Sequence, residues 1–428
     1  MSNRLKAALL RLVVTLGSAR LAARARQTVL AVHPKVATAG YITGKPQRQL
    51  LVDVSIIAAH DAGTGIQRVV RSLLTQLIAS PPSGFEVRPV RATRKRAYEY
   101  ADSYLCSLTG SKPSDSDAAI RVAAGDIFLG LDLSGRALPC RQFDLLKWRA
   151  QGVRLCFVVY DLLPLTNAQW FTPVARKSFR RWLYTLSIHA DAVFCISRTV
   201  AEQTQAWRDN KLGVAASNLE VRWFRLGADL RPRTGPLPAG PPAHSSAYRQ
   251  VLRERAVMMV GTLEPRKGHA LVLDAFEILW ANGSDATLVI AGKIGWHVES
   301  LVNRLRAHQQ WGKRLIWLND ATDDDLSDMY SSFAGLIFAS EAEGFGLPLI
   351  EAAHFGLPIL ARDIPVFREV AAEHATYFNA GSGAELAPQI NEWLELLAIH
   401  EAPSSEAMPH LSWAESATQL KHLLADQA

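Results

Sequence analysis

The C-terminal half of the chain carries an alternation that few folds accommodate. Short apolar, mostly β-branched runs, AVMMVGTL, ATLVIAG, RLIWLN, GLIFAS, PILAR and ATYFN, are separated by the helical patterns HALVLDAFEILWANG, VESLVNRLRAHQQ, TDDDLSDMYSS, LPLIEAAHFG and IPVFREVAAEH, with AELAPQINEWLELLA after the last. A strand that is apolar throughout must be covered on both faces, and helices between consecutive strands do this when the strands run parallel. The alternation therefore predicts an α/β domain with a doubly wound parallel sheet, whose ligands bind at the carboxyl ends of the strands.

The N-terminal half repeats the theme less regularly, in LLVDVSII, FEVRPVRA, DIFLGLDL, RLCFVVYDLLPL, AVFCIS and EVRWFRLG. With 428 residues there is room for two such domains. The best divider is LRPRTGPLPAGPPAHSS, residues 230–246, which holds five prolines and no periodic apolar pattern. The expected organisation is a basic amphipathic extension over 1–49, a Rossmann-like domain over 50–229, a Pro/Gly-rich linker over 230–250, a second Rossmann-like domain over 251–410 and a C-terminal helix over 411–428.

Composition excludes several classes. With 49% hydrophobic and 20% charged residues the chain is neither disordered nor mostly membrane-embedded. Its four cysteines form no C-x-x-C pair and no pattern with histidine, so neither a zinc site nor a disulfide framework is indicated, and a reducing compartment is expected. Cys156 and Cys195 lie inside apolar runs, where cysteine acts as a small hydrophobe.

Charge is unevenly placed: 16 of the 47 Lys and Arg residues, but only 4 of the 40 Asp and Glu, fall in the first hundred positions. An anionic partner for that half is implied. The first thirty residues contain Arg4, Lys6, Arg11, Arg20, Arg24 and Arg26 and no acid, and the uncharged run between Arg11 and Arg20 is too short to span a bilayer. The segment lacks the long apolar core of a secretory signal and is read as retained. Leu5, Leu9, Leu12, Val13 and Leu16 recur near helical spacing. That pattern fits a basic helix on an anionic leaflet and fits equally a helix packed on its own protein.

Chemistry concentrates at residues 338–361, FASEAEGFGLPLIEAAHFGLPILA. A strand ends at Ser340, Glu343 falls in the loop beyond it, Pro348 stands near the first turn of a helix, and Glu351 lies on that helix. Gly344 and Gly346 let a ligand approach the main chain beside a helix N-terminus that favours negative charge. Upstream, GTLEPRKGHALVLDAF, residues 261–276, is a strand end followed by a Lys-Gly turn into a helix.

EGFGLPLIE resembles the E-x7-E signature of retaining GT-B glycosyltransferases, most closely those of family 4, and residues 261–276 resemble that family's donor-phosphate motif. The resemblance covers roughly residues 50–425 and is strongest in the C-terminal half. It implies a GT-B fold, with two Rossmann-like domains facing across a cleft, and a metal-independent retaining transfer from a nucleotide diphosphate sugar. On that basis Lys267 and Arg266, with Gly261 and Thr262, would hold the donor phosphates. Glu343 would hold the sugar, Glu351 the ribose, and Gly344, Phe345, Gly346 and Leu347 would line the donor. Fixed cations suit this chemistry because charge builds on the leaving diphosphate.

The sequence departs from the family in two places. Thr262 stands where many members have arginine, which leaves phosphate binding to Arg266, Lys267 and a basic residue from the N-terminal half. Tyr160 stands where many have a histidine, with Asp161 beside it either aligning an acceptor hydroxyl or forming a turn. HDAGTGIQRVVRSLL, residues 60–74, resembles the Gly-rich loop of the GT-B N-terminal domain that approaches donor and acceptor, which implies that Gly63, Thr64 and Gly65 meet the donor and Arg68 the acceptor side. This variant is similar to that of bacterial transferases of O-antigen and exopolysaccharide assembly, several of them mannosyltransferases. The same residues also suit a plain strand-to-helix turn.

The implied donor is best taken as GDP-mannose, and the implied acceptor as a polysaccharide or lipid-linked glycan at the inner face of the cytoplasmic membrane. No cofactor besides the donor and no metal is expected. The D-x-D in TDDDLSDMY reads as Thr322 capping a helix with an acidic first turn. No G-x-G-x-x-G follows a strand, which argues against a nicotinamide oxidoreductase. RATRKR and KSFRRW lack a recognition fold, which argues against nucleic acid. The competing expectation is a degenerate transferase kept as a scaffold or nucleotide-sugar-binding protein.

Overall fold

The computed structural model describes residues 2–31, 47–110, 120–229 and 256–427, so the expected Pro-rich linker lies outside the described residues. The chain divides into two compact units, Met1–Leu226 with Trp413–Ala428, and Gly227–Ser412. Both are α/β layers, each built on one sheet.

Unit 1 opens with α1 (Asn3–Leu16) and α2 (Ala19–Leu30), capped by the side chains of Ser2 and Ser18. Then follow β1 (Arg48–Asp53), α3 (Gly65–Ala79), β2 (Phe85–Arg91), β3 (Glu99–Tyr100), α4 (Asp102–Thr109) and β4 (Ile127–Gly130). The unit continues with α5 (Gln142–Ala150), β5 (Arg154–Val159), α6 (Leu163–Thr166), α7 (Pro173–His189), β6 (Ala192–Cys195), α8 (Arg198–Leu212) and β7 (Glu220–Trp223). The sheet order is β3-β2-β1-β4-β5-β6-β7. Every pairing is parallel except the two-residue β3, which runs antiparallel to β2 through Val90↔Tyr100 and Arg91↔Glu99. β4 and β6 are buried along their whole length, as their apolar runs require. Burial pushes the Cys195 thiol up to about 12 and raises the Cys156 thiol as well, so both behave as small hydrophobes.

The N-terminal helices pack on unit 1 with small side chains rather than with the leucine stripe. Ala7, Leu10 and Val14 of α1 and Ala22, Ala23 and Val29 of α2 share a cluster with Leu146, Tyr184, Ile188 and Leu212. Small residues let helix backbones approach closely, which explains why the alanine face turns inward. Beneath them Arg26 is buried, donating Nη1 to the carbonyls of Ser187 (2.9 Å) and Ala190 (2.7 Å) and Nε to Asn218 Oδ1 (3.0 Å). The guanidinium thus satisfies carbonyls at the end of α7 that no helix bond can reach.

Unit 2 runs β8 (Ala256–Val260), α9 (His269–Ala281), β9 (Thr287–Ala291), α10 (Glu299–Ala307), β10 (Leu315–Leu318), α11 (Asp323–Ser332) and β11 (Gly335–Phe338). It closes with α12 (Leu347–His354), β12 (Ile359–Arg362), α13 (Pro365–Ala371), β13 (Thr376–Phe378) and α14 (Gly383–Ala398). The sheet is wholly parallel in the order β10-β9-β8-β11-β12-β13, the doubly wound arrangement expected from the alternation. One face is covered around Phe276, Trp280 and Trp393, the other around Tyr330, Phe338 and Phe367.

The last helix, α15 (Trp413–Ala425), belongs to unit 1, where it packs against α3. Arg154 donates to Gln427 Oε1 at 2.8 Å and the Arg225 amide to Gln419 Oε1 at 2.9 Å.

Removing Arg26 orphans two buried carbonyls, so Arg26→Ala is expected to lower unfolding stability by roughly 2–4 kcal/mol. Arg26→Lys should recover only part, since an ammonium cannot present the planar fork. Chemical denaturation of both variants measures this; an Arg26→Ala midpoint equal to the native one contradicts the assignment.

Candidate functional site

In unit 2 the strand order reverses between β8 and β11, whose crossovers depart to opposite sides and leave a crevice at the carboxyl ends. Two loops meet there: 261–268 after β8 and 339–346 after β11. The Glu341 amide donates to the Arg266 carbonyl at 2.8 Å. Gly268, at φ 74°, lies so close to the second loop that a Cβ would stand 2.5 Å from the Ala339 carbonyl oxygen. Only glycine fits the Lys-Gly turn at this approach.

Glu343 is the pivot. Its Oε2 pairs with Arg266 Nη1 at 2.8 Å and its Oε1 accepts from Lys267 Nζ at 2.5 Å. Arg266 is fixed further by Glu264 Oε2 (2.9 Å) and the Ala342 carbonyl (2.9 Å). Burial would raise the Glu343 pKa, but the Arg266 and Lys267 charges and their hydrogen bonds overcome it and hold the carboxyl at about 2. Because that value is depressed, the stability Glu343 contributes is present above its unfolded pKa and is lost as pH falls towards about 2. Burial lowers Lys267, with Glu343 pulling the other way, and burial raises Glu264 against the pull of Arg266 and Lys267. Two cations and two carboxylates are thus packed together, each needing the others to stay charged out of water.

Around this centre Gly261 (φ 139°) and Thr262 form the turn leaving β8, braced by the Leu263 amide on the Lys293 carbonyl at 2.8 Å. Gly344, Phe345 and Gly346 are buried, Leu347 starts α12, and Pro348 occupies its first turn. Glu351, on the same helix, is buried and accepts from the Tyr330 hydroxyl at 2.9 Å. Tyr330 comes from α11 and stacks on Phe355. His269, the first residue of α9, is buried, and burial together with Lys267 drops its pKa to about 3, so it is neutral. Thr322 and Asp325 form a reciprocal capping box on α11, the helix start expected of the acidic run.

Unit 1 holds the remaining sequence-identified residues. Gly63 (φ 69°), Thr64 and Gly65 form an exposed turn into α3, with Arg68 half-buried on the helix. Gln67 holds this turn in shape. Its Oε1 accepts from the Ala62 amide (2.8 Å) and completes a capping box with Thr64, while its Nε2 donates to the His60 carbonyl (2.7 Å).

Tyr160 lies at the end of β5. It is buried, and its hydroxyl donates to the Leu131 carbonyl at 2.7 Å, tying the end of β5 to that of β4. Burial, then the charge of Asp132, raise its pKa well above the ordinary value. This bond braces the carboxyl ends of two neighbouring strands. Asp161 accepts from the Leu163 amide at 3.0 Å, the turn-forming alternative.

Sequence reasoning missed a carboxylate pair at the reversal point of unit 1, between β1 and β4. Asp53 accepts from the Ser55 amide (2.9 Å) and hydroxyl (2.5 Å), and from the hydroxyls of Tyr98 (2.9 Å) and Ser134 (2.8 Å). Asp132 Oδ2 accepts from the amides of Ile56 (2.7 Å) and Ile57 (2.9 Å). The signal was present: both aspartates head an Asp-x-Ser at the end of an apolar run, Asp53-Val54-Ser55 and Asp132-Leu133-Ser134. Burial and then Asp53 push Asp132 up to about 7, against the Ile57 and Ile56 amides. Glu264 and Tyr330 were missed too, because only the fold reveals what they hold.

The chain is similar to several known proteins. The glycosyl transferases group 1 family matches residues 244–407. Serotype-specific mannosyltransferase WbdA of Escherichia coli is 43% identical over 374 residues, covering 86% of this chain and 44% of that protein. O-antigen chain mannosyltransferase B of Escherichia coli is 28% identical over 117 residues, 27% of this chain and 30% of that protein. The chain thus spans less than half the length of the WbdA proteins it matches. Among solved structures, Anabaena Alr3699/HepE in complex with UDP and glucose aligns over 89% of this chain and 100% of its own, at 15% identity and TM-score 0.59. Sucrose-phosphate synthase (tll1590) from Thermosynechococcus elongatus aligns over 89% and 99%, at 16% identity and TM-score 0.58. The fold is GT-B.

Since the Asp132 pKa is raised in the fold, the stability held by its neutral form is complete below the unfolded value near 4 and is lost as pH rises to about 7. Asp132→Asn keeps an oxygen for the Ile56 and Ile57 amides, so it should match the native protein near pH 4 and exceed its stability above pH 7. Denaturant melts across this range test the pair; parallel curves for the two proteins contradict it.

Proposed function

Residues 244–407 belong to the glycosyl transferases group 1 family, and on that premise we propose that the chain is a retaining, metal-independent glycosyltransferase. It moves mannose from GDP-mannose to a growing O-antigen-type polysaccharide or lipid-linked glycan. The reaction runs at the cytoplasmic face of the membrane with no cofactor besides the donor.

The observation that carries the reading is the Arg266–Glu343–Lys267 cluster at the crevice of the second sheet. An arriving diphosphate competes with Glu343 for Lys267, which frees a carboxylate oxygen for the sugar hydroxyls. As the glycosidic bond breaks, negative charge grows on the phosphate facing both cations, and positive charge grows at the anomeric carbon near Glu343. The acceptor hydroxyl attacks from the leaving-group face and passes its proton to the departing phosphate oxygen. That route asks for no strong base, which accords with a buried, hydrogen-bonded Tyr160. Glu351, oriented by Tyr330, meets the ribose, whose environment changes little during the reaction. The mannosyltransferase names of the aligned Escherichia coli proteins support the choice of sugar.

One observation favours a second reading, a nucleotide-sugar-binding scaffold: Thr262 removes a cation from the phosphate turn. Slow hydrolysis of donor in the absence of acceptor separates the two, since a scaffold gives none.

A ligand that binds only the folded state raises its stability, so GDP-mannose should raise the melting temperature more than UDP or dTDP sugars do. Lys267→Ala and Glu343→Gln are each expected to lower kcat by about a hundredfold or more. Glu351→Gln and Tyr330→Phe should mainly raise donor KM, as lost uniform binding does. Steady-state kinetics on folded variants check the split; small, equal effects from all four substitutions would move the chain to the scaffold reading.

A further inference from the structure

The outer face of α1 has no counterpart elsewhere among the described residues. Leu5, Leu9, Leu12 and Leu16 are 52%, 46%, 53% and 59% exposed. At about 3.6 residues per turn they fall on one arc roughly 60° wide and extend about 16 Å along the helix. Ala7, Leu10 and Val14, which pack on unit 1, occupy the opposite side. The leucine ridge is therefore held outward: turning it inward would strip the alanine face from its cluster. Single exposed leucines are ordinary on a protein surface, but four in register form a patch that marks a partner.

The charge around the ridge says which partner. Helical spacing sets Arg4 and Arg11 on one flank and Lys6 on the other, and no Asp or Glu precedes Asp53 in the sequence. At the far end the Arg180 guanidinium lies against Gly17, with Nε 3.0 Å from the point a Cβ there would occupy. Exposed Leu21, Arg20 and Arg24 of α2 continue the same mixture. A protein surface would have to match an apolar groove with acidic rims, whereas an anionic bilayer offers acyl chains below and phosphates beside them. No helix among the described residues is long and apolar enough to cross a membrane, and α1, at 14 residues, has the length to lie in the interface plane.

We propose that α1 is an in-plane anchor for an anionic phospholipid bilayer. Its leucine ridge sinks among the acyl chains, the flanking arginines and Lys6 meet the headgroup phosphates, and the alanine face stays fastened to unit 1. The anchor rests on the membrane-face reading above, but its readout is binding. A catalytically dead chain that binds vesicles would leave the anchor standing, and an active chain that does not bind would leave the transferase standing.

The test uses the full chain and flotation with vesicles of phosphatidylglycerol and phosphatidylcholine, against phosphatidylcholine alone. The native protein should float with the anionic vesicles, less so as salt is raised, and remain behind with the neutral ones. Replacing Leu5, Leu9, Leu12 and Leu16 together by serine should weaken binding by about a hundredfold or more, with the melting temperature unchanged because the inner face is untouched. Should that variant misfold, the single changes Leu9→Ser and Leu12→Ser, each expected to cost several-fold, carry the test. Arg4→Gln with Arg11→Gln should weaken binding and flatten its salt dependence. A native protein that fails to float, or a folded serine variant that floats as well as the native one, overturns the proposal. So does a native dimer that the serine variant dissolves without any vesicle binding, since the ridge would then belong to a second copy.

Discussion

Parallel pairing forces each strand to return over a face of its sheet, and where the strand order turns about, neighbouring crossovers part and leave the carboxyl ends uncovered. This happens once in each unit, between β1 and β4 and between β8 and β11. Each opening is filled with carboxylates, but by opposite electrostatic means. In unit 2, Glu343 is kept ionised by the cations that share it, with its pKa held at about 2. In unit 1, Asp132 sits among amides and beside another carboxylate, with its pKa at about 7. One opening holds its carboxylate charged at neutral pH, and in the other burial favours the protonated carboxyl.

That contrast organises the smaller details. Arg266 and Lys267 can remain largely covered because Glu343 and Glu264 answer them, and Glu343 can remain ionised because they answer it. The Asp53–Asp132 network uses hydroxyls and amides instead, and through Ile56 and Ile57 it fixes the segment that runs on to Gln67 and the Gly63–Gly65 turn. In both arrangements each polar group is already held by its neighbours.

The strands of unit 2 were legible because each is a compact apolar run between turn signals. Glu343 and Glu351 stood out as a pair because one loop and the helix after it carry them, and Lys267 because a separate strand-turn-helix run does, but the contact between Lys267 and Glu343 joins residues 76 positions apart. β3 was not legible, since two residues have no period; its place follows from register with Val90 and Arg91. The bond from Tyr160 to Leu131 joins residues 29 positions apart, and the link from Asp53 to Ser134 spans 81, distances at which sequence pattern is silent. On α1 the pattern was visible but the inward face was not. Hydrophobicity points to the leucines, whereas close helix packing favours the alanines, and packing prevails.

α15 gives the chain an unusual order of assembly. Along the sequence the strands of unit 1 come first, the whole of unit 2 follows, and Trp413–Ala425 returns to unit 1. On the ribosome, α15 emerges only after all the strands of unit 2 have been made, so the face of α3 it packs against must wait, uncovered by it, throughout that synthesis. Unit 2 has every element of its own sheet beforehand and can close first. Unit 2 is thus positioned to close ahead of unit 1, although the strands of unit 1 precede it in the sequence.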